Sequence, residues 1–271
     1  MKTRKIIKLK FLTVAALCLA LTIFSCSNDD DVIEIIESCF KHFNYDNSTE
    51  EGPSHWDNYC VAEGTVNECG SIVRQSPINI TGAVDDANLS DLNIAYTNST
   101  TDIINNGHTI QFNYNGPSST FTFKGEQYSL LQFHFHAKSE HTVGGYHYPL
   151  EAHLVHKNTS GGLAVIGVFF ETGAENDFLA EFTGHLPTHE DETYTNANLI
   201  FNASNLVDID SGYYNYNGSL TTPPCSEIVE WIVLESPIEA SSAQLDAFST
   251  ILHGNYRPIQ PLSGRIIKHK Q

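Results

Sequence analysis

The sequence predicts a mainly β protein with a few short helices, and three observations carry that prediction. Six runs alternate apolar with polar residues or are rich in β-branched and aromatic ones: TIQFNY (109–114), STFTFKG (119–125), YSLLQFHFH (128–136), LEAHLVHK (150–157), LAVIGVFFE (163–171) and EIVEWIVLE (227–235). Clusters of Asn, Gly, Ser and Pro separate these runs, as turns between strands require. Only two segments have a good helical pattern, near 175–183 and 241–252. No internal repeat and no second domain is visible.

Taken in order, the chain opens on a segment of a different kind. Lys2, Arg4, Lys5, Lys8 and Lys10 precede the apolar run FLTVAALCLALTIF, which is short for a membrane-spanning helix. A basic head, an apolar middle and small Ser25 read as a secretory signal peptide over residues 1–25. Cys26, directly after the small residue, resembles the lipidated cysteine of a bacterial lipobox; an ordinary cleaved signal and an uncleaved anchor are the alternatives. Because polar SNDDD follows at once, residues 26–38 read as lipidated Cys26 with a flexible tether, and 39–271 as the folded domain.

The leader carries five basic and no acidic side chains, so its loss takes the formal net charge from −18 to −23 and leaves 246 residues. That length can bury a large core. Such acidity is repelled by nucleic acid and by anionic lipid heads, so membrane contact is expected only through the lipid. With Cys18 removed and Cys26 committed, Cys39, Cys60, Cys69 and Cys225 remain. Four exported cysteines imply two bridges, with three pairings open. No Cys-x-x-Cys spacing supports a cysteine zinc site.

Within the body, the run at 128–136 and the following AKSEH carry the first chemical signal. Side chains two apart share a strand face, so Gln132, His134 and His136 point one way and Phe133 and Phe135 the other. In LEAHLVHK, Glu151, His153 and Val155 share a face, and Ala152, Leu154 and His156 the opposite one. If the two strands pair across TVGGYHYP, His153 faces His134 and His136. Three imidazoles with one open position suit a catalytic zinc, whereas structural zinc sites close all four. Gln132 and Glu151, each two residues before a histidine on the same face, are placed to orient the rings. Half-buried histidines without a metal are the plain alternative, and His141, His147, His156, His185, His189, His253 and His269 are read as structural or surface residues. A cupin-like metalloenzyme, with Glu140 as a further ligand, is the sharper rival. The later helix has Ser241 and Gln244 in capping-box spacing, apolar Leu245, Phe248, Ile251 and Leu252, and Gly254 as its stop.

QFHFHAKSEHTV, LEAHLVHKN and GSLTTPPC together resemble the α-class carbonic anhydrases. GPSHW (52–56), RQSPINI (74–80), INNGH (104–108), LAVIGVF (163–169), EWIVL (230–234) and NYRPIQPL (255–262) agree with that family in order. The resemblance covers roughly residues 40–268 and leaves a cupin without a use for GSLTTPPC. It implies a single domain built on a large, mostly antiparallel, central twisted sheet. It also implies reversible hydration of carbon dioxide to bicarbonate and a proton by zinc-bound hydroxide. A non-catalytic binding module of the same family is the alternative, although such modules typically lose a zinc histidine and this chain retains all three.

The resemblance assigns Zn2+ to His134, His136 and His153. Gln132 would orient His134, Glu151 would orient His153, and the carbonyl of Asn255 would take the hydrogen bond of His136. Thr221 would donate to Glu140 and aim the hydroxide. Thr222 would line the same wall, and Val155, Val165, Leu220 and Trp231 would form an apolar niche for carbon dioxide. His108 would shuttle the proton, since imidazole titrates near neutrality at about 6.5, and Tyr45, Asn105 and Gln111 would hold the water chain. Cys69 pairs with Cys225 and Cys39 with Cys60 by the same resemblance. Ala137, where animal members carry tryptophan, and the short loop to Glu140 resemble bacterial members. The expected setting is a bacterial cell envelope, on its periplasmic face or cell surface, as a monomer or dimer with small-molecule substrates.

Overall fold

Period-two patterning becomes the two faces of one broad, twisted sheet in a computed structural model that describes residues 42–59 and 66–271. The strands of its first half are β1 (Asn79–Ile80), β2 (Val84–Asp85), β3 (Asn93–Ala95), β4 (Ser99–Asn105), β5 (Ile110–Asn113), β6 (Thr120–Phe123), β7 (Glu126–His136) and β8 (Thr142–Val143). Those of the second half are β9 (Tyr146–His147), β10 (Leu150–Lys157), β11 (Leu163–Thr172), β12 (Thr193–Phe201), β13 (Tyr213–Gly218), β14 (Val229–Leu234), β15 (Ile238–Ala240) and β16 (Lys268–Lys270). Across the main sheet the order is β12-β4-β5-β7-β10-β11-β14-β13-β16-β2, with β3, β6 and β15 attached beside it. A small sheet joins β1, β8 and β9. The expected mostly antiparallel sheet is found, but it is mixed: β11 runs parallel to β14 and β15, and β16 parallel to β2.

The strands in the middle are covered on both faces, which explains why LAVIGVFF is a continuous apolar run while β4 and β6 alternate. On one face Phe112, Phe133, Phe135, Leu154, Ile166, Phe170, Phe182 and Phe248 belong to the larger core. The Phe112 and Phe133 rings stack at 4.6 Å, and Phe135 meets Phe248 at 4.5 Å. On the opposite face Ile78, Val165, Phe169, Trp231 and Val233 build a smaller core. His134, His136 and His153 lie on this second side, at the edge of the smaller core, where His153 meets Trp231.

The later helix forms where the sequence places it. Here α2 spans Ser242–Leu252 behind a capping box: Gln244 N–H donates to Ser241 Oγ at 3.3 Å and Ser241 N–H donates to Gln244 Oε1 at 3.0 Å. Leu245, Phe248 and Leu252 enter the larger core, and the left-handed stop begins at His253, one residue before Gly254. The helix expected over 175–183 is shorter. It is one α turn, α1 (Asp177–Ala180), capped by Asn176 Oδ1 on Leu179 N–H, followed by a 3-10 turn at Thr183–His185. Thr183, Gly184 and Pro187 are poor helix formers and give no basis for extension.

Cys69 and Cys225 form a disulfide, as the resemblance implies. Residues 1–38, Cys26, Cys39 and Cys60 lie outside the described residues. Among the described residues, no helix is long and apolar enough to cross a membrane.

The sheet's far edge is held by charge. His269 on β16 meets Asp85 Oδ1 through Nδ1 at 2.8 Å and Glu235 Oε2 through Nε2 at 3.0 Å. Burial opposes its charge, but the hydrogen bonds to Glu235 and Asp85 outweigh it and raise its pKa. A raised folded-state pKa stabilises fully below the unfolded value of about 6.5, and that contribution is lost as pH rises through the folded value. His269→Gln should therefore lower the melting temperature more at pH 5.5 than at pH 9; equal losses at both pH values would refute the clasp.

Candidate metal centre

Antiparallel pairing of β7 with β10 sets His153 opposite His134, and Glu151 opposite His136. The pairing inferred across TVGGYHYP is thus the one that forms. One ligand-capable atom from each of His134, His136 and His153 lies within 4.8 Å of the others. Their ring centroids are 5.1, 5.4 and 4.6 Å apart. His136 and His153 are buried, and His134 is partly open.

Each ring has its second nitrogen committed. His134 Nδ1 is 2.9 Å from Gln132 Oε1, His136 Nδ1–H donates to the Asn255 carbonyl at 2.7 Å, and His153 Nε2–H donates to Glu151 Oε1 at 2.9 Å. That leaves Nε2 of His134, Nε2 of His136 and Nδ1 of His153 to face one another. Burial, reinforced by His136 and His153, holds the His134 pKa well below the usual histidine range, and burial lowers that of His136. Neutral imidazole is the form that binds a metal. The fit has an independent mark: His136 Nε2 is buried and has no hydrogen-bond partner among the described residues. A polar atom in that condition is costly unless something else satisfies it, and a cation between the three rings would do so.

Glu140 is not a member of that group, as a cupin site would require. It is fully buried; its Oε1 accepts from Arg257 N–H at 2.8 Å, and its Oε2 lies 3.6 Å from His136 Nε2 and 3.9 Å from His153 Nδ1. The hydrogen bond expected from Thr221 to Glu140 is not formed. Oε1 is taken by Arg257, and Oε2, turned toward the histidines, has no hydrogen-bond partner among the described residues. Thr221 itself is buried close to the disulfide, and Cys225 N–H donates to the Thr222 carbonyl at 2.8 Å.

A pocket of about 240 Å³ opens onto His134 and His136, lined also by Tyr45, Asn106, His108, Gln111, Gln132 and Thr222. Asn105 is not among the residues that line this pocket. As the last residue of β4 it points inward, where its Nδ2–H donates to the Pro187 carbonyl at 3.3 Å. Asn106 takes the pocket position, and its Oδ1 accepts from the N–H of both His108 and Thr109. The His108 ring stacks on Phe43 at 3.8 Å. On the other flank, Val155 pairs with Val165, Val165 with Trp231, and partly buried Val155 and Leu220 pack against the smaller core.

Sequence reasoning set His141 aside as structural or surface, and the structure gives it a specific place. It is fully buried. Its N–H donates to Glu151 Oε2 at 2.9 Å and its Nδ1–H to Glu151 Oε1 at 2.8 Å. Its Nε2 is 2.6 Å from Tyr216 Oη, which is 2.9 Å from Ser76 Oγ. His141 therefore fixes the carboxylate that fixes His153. The only signal for it in the sequence was its place just after Glu140.

Sheet and cradle together define a β-sheet protein in which three histidines could hold one metal ion. The sequence profile of the eukaryotic-type carbonic anhydrase family matches residues 51–271. The carbonic anhydrase of Klebsiella pneumoniae is 44% identical over 234 residues, 83% of this chain and 90% of that protein. That of Pectobacterium atrosepticum is 40% identical over 247 residues, covering 91% and 94%. The solved α-carbonic anhydrase of Thermovibrio ammonificans, in complex with the inhibitor sulfanilamide, superposes with a TM-score of 0.78 at 38% identity, over 84% of this chain and 98% of that one. The chain belongs to the eukaryotic-type carbonic anhydrase family.

Proposed function

We propose that this protein catalyses the reversible hydration of carbon dioxide to bicarbonate and a proton, with zinc held by His134, His136 and His153. The observation that supports this most directly is the convergence of three ring nitrogens whose partners are all committed elsewhere. Zinc in such a cradle supplies a Lewis acid that brings the pKa of water to about 7, a value for which carbonic anhydrase is itself the standing example.

The protein's own residues do the rest. Gln132, Glu151 and the Asn255 carbonyl hold the rings in one tautomer and one direction. Val155, Val165, Leu220 and Trp231 offer an apolar wall to an uncharged substrate that needs no ionic clamp. Thr221 and Glu140 act at the reacting oxygen, which requires the threonine hydroxyl to turn toward the carboxylate. Bicarbonate leaves through the pocket bounded by Thr222 and Gln111. The released proton passes by way of Tyr45, Asn106 and Gln111 to His108 at the pocket wall, with Asn106 in the role first given to Asn105. Export and lipid attachment at Cys26 complete the proposal. The basic, apolar and small-residue order of the leader supports them, as does the Cys69–Cys225 bridge, since disulfides persist in oxidising compartments.

His153→Ala should lose bound zinc and carbon dioxide hydration together, measured by metal analysis and stopped-flow on one preparation; full activity without zinc would refute the assignment. His108→Ala should slow turnover in dilute buffer on the order of 10²-fold, the lower range for proton transfer by a side chain, and added imidazole should restore it. Absence of rescue would remove His108 from the proton path. Cys26→Ser should move the protein from the membrane fraction to the soluble fraction of expressing cells, and unchanged fractionation would exclude the lipid anchor.

A further inference from the structure

The buried guanidinium of Arg257 is unused by the mechanism above, yet it joins four parts of the site. It is 2% exposed. Nη1–H donates to Gln75 Oε1 at 2.7 Å and to the Ser76 carbonyl at 2.8 Å, and Nη2–H donates to the Cys69 carbonyl at 3.1 Å. Gln75 Nε2–H in turn donates to the Cys225 carbonyl at 3.1 Å. Both halves of the disulfide are thus tied to one cation, Cys69 directly and Cys225 through Gln75. The guanidinium also lies over the Trp56 ring at 5.7 Å. Burial lowers its pKa to about 10, and Glu140 opposes the shift, so it stays charged at neutral pH.

The same residue's backbone N–H makes the one hydrogen bond that Glu140 receives among the described residues. A buried carboxylate with a single donor takes its position from that donor. We propose that the Arg257 side chain is a positioning residue for the reaction, carrying the brace of the Cys69–Cys225 bridge to Glu140. The role rests on the carbonic anhydrase reading. It is separable from metal retention because Asn255, two residues away, has anchors of its own. Asn255 Nδ2–H donates to the carbonyls of His108 and Phe135 at 2.9 Å each, and its Oδ1 accepts from Ala137 N–H at 2.9 Å. The carbonyl that orients His136 should therefore stay in place when the guanidinium is lost.

The test compares Arg257→Met and Arg257→Lys with the parent full-length protein. The readouts are zinc content, kcat and KM for carbon dioxide hydration, and the visible spectrum after cobalt(II) replaces zinc. Arg257→Met should keep one zinc per chain and a near-parental KM while kcat falls by up to about 10²-fold, the scale of a misplaced group near the chemistry. Arg257→Lys should recover part of that loss. In a cycle with Cys69→Ala/Cys225→Ala the two losses should be strongly non-additive, because both changes break one linkage. Parental kcat in folded, zinc-replete Arg257→Met, or additive losses, would overturn the proposal. Should Arg257→Met fail to fold, Gln75→Leu removes one acceptor and leaves the guanidinium; it should lower kcat at constant zinc, and parental kcat there would overturn the proposal equally. A parent that hydrates no carbon dioxide would sink the functional reading instead. The cobalt spectrum, which needs no turnover, would then decide this inference: a shift in the variant supports it and an unchanged spectrum overturns it.

Discussion

Everything at the site depends on the register in which β10 meets β7. His153 stands opposite His134, and Glu151 opposite His136. A slip by one residue would send every side chain of one strand to the other face, replacing His153 with Ala152 or Leu154 and exchanging the cradle for core. The apolar face of the same strands guards against that slip. Phe133, Phe135, Ala152 and Leu154 are fully buried, and a shifted strand would bury histidine and glutamate where phenyl rings now pack. The larger core therefore fixes the geometry of a site on the opposite face of the same strands.

Once the register is set, burial favours the neutral form of His134 and His136, and hydrogen bonding decides the direction of the rings. An imidazole in water has two usable nitrogens and no preferred heading. Here one nitrogen of each ring is bound to an acceptor, and two of those acceptors are themselves held. Glu151 is tied to His141, and His141 to Tyr216 and Ser76; the Asn255 carbonyl belongs to a residue whose side chain bonds three backbone groups. Ser76 also links this chain to Arg257, which accounts for how RQSPINI and NYRPIQPL, distant in sequence, come to support one centre.

Much of this was legible beforehand for a simple reason. Strand periodicity is exact, so the shared face of Gln132, His134 and His136 and that of Glu151 and His153 follow from counting. The capping box at Ser241 and Gln244 is equally local. Where the structure adds to that reading, the deciding contact is not local. Asn105 and Asn106 are chemically alike neighbours at a strand end, and the Pro187 carbonyl, 82 residues away, selects which one turns inward. The helix near 175–183 has an acceptable apolar pattern, but its continuation has poor propensity and ends after one turn.

By itself, then, the sequence determined the strand-rich class, the pair of histidine-bearing strands, the acceptors two residues before His134 and His153, and, through family resemblance, the Cys69–Cys225 pair. These are properties of spacing along one chain or of motifs short enough to carry their own meaning. Only the tertiary structure decided that His141 buttresses Glu151, that Asn106 faces the pocket, that Glu140 is held by the Arg257 N–H, and that one guanidinium ties both halves of the disulfide to it. Each of those joins residues through a side chain's heading inside a packed interior, and that heading is set by what fills the remaining volume, which no periodicity records.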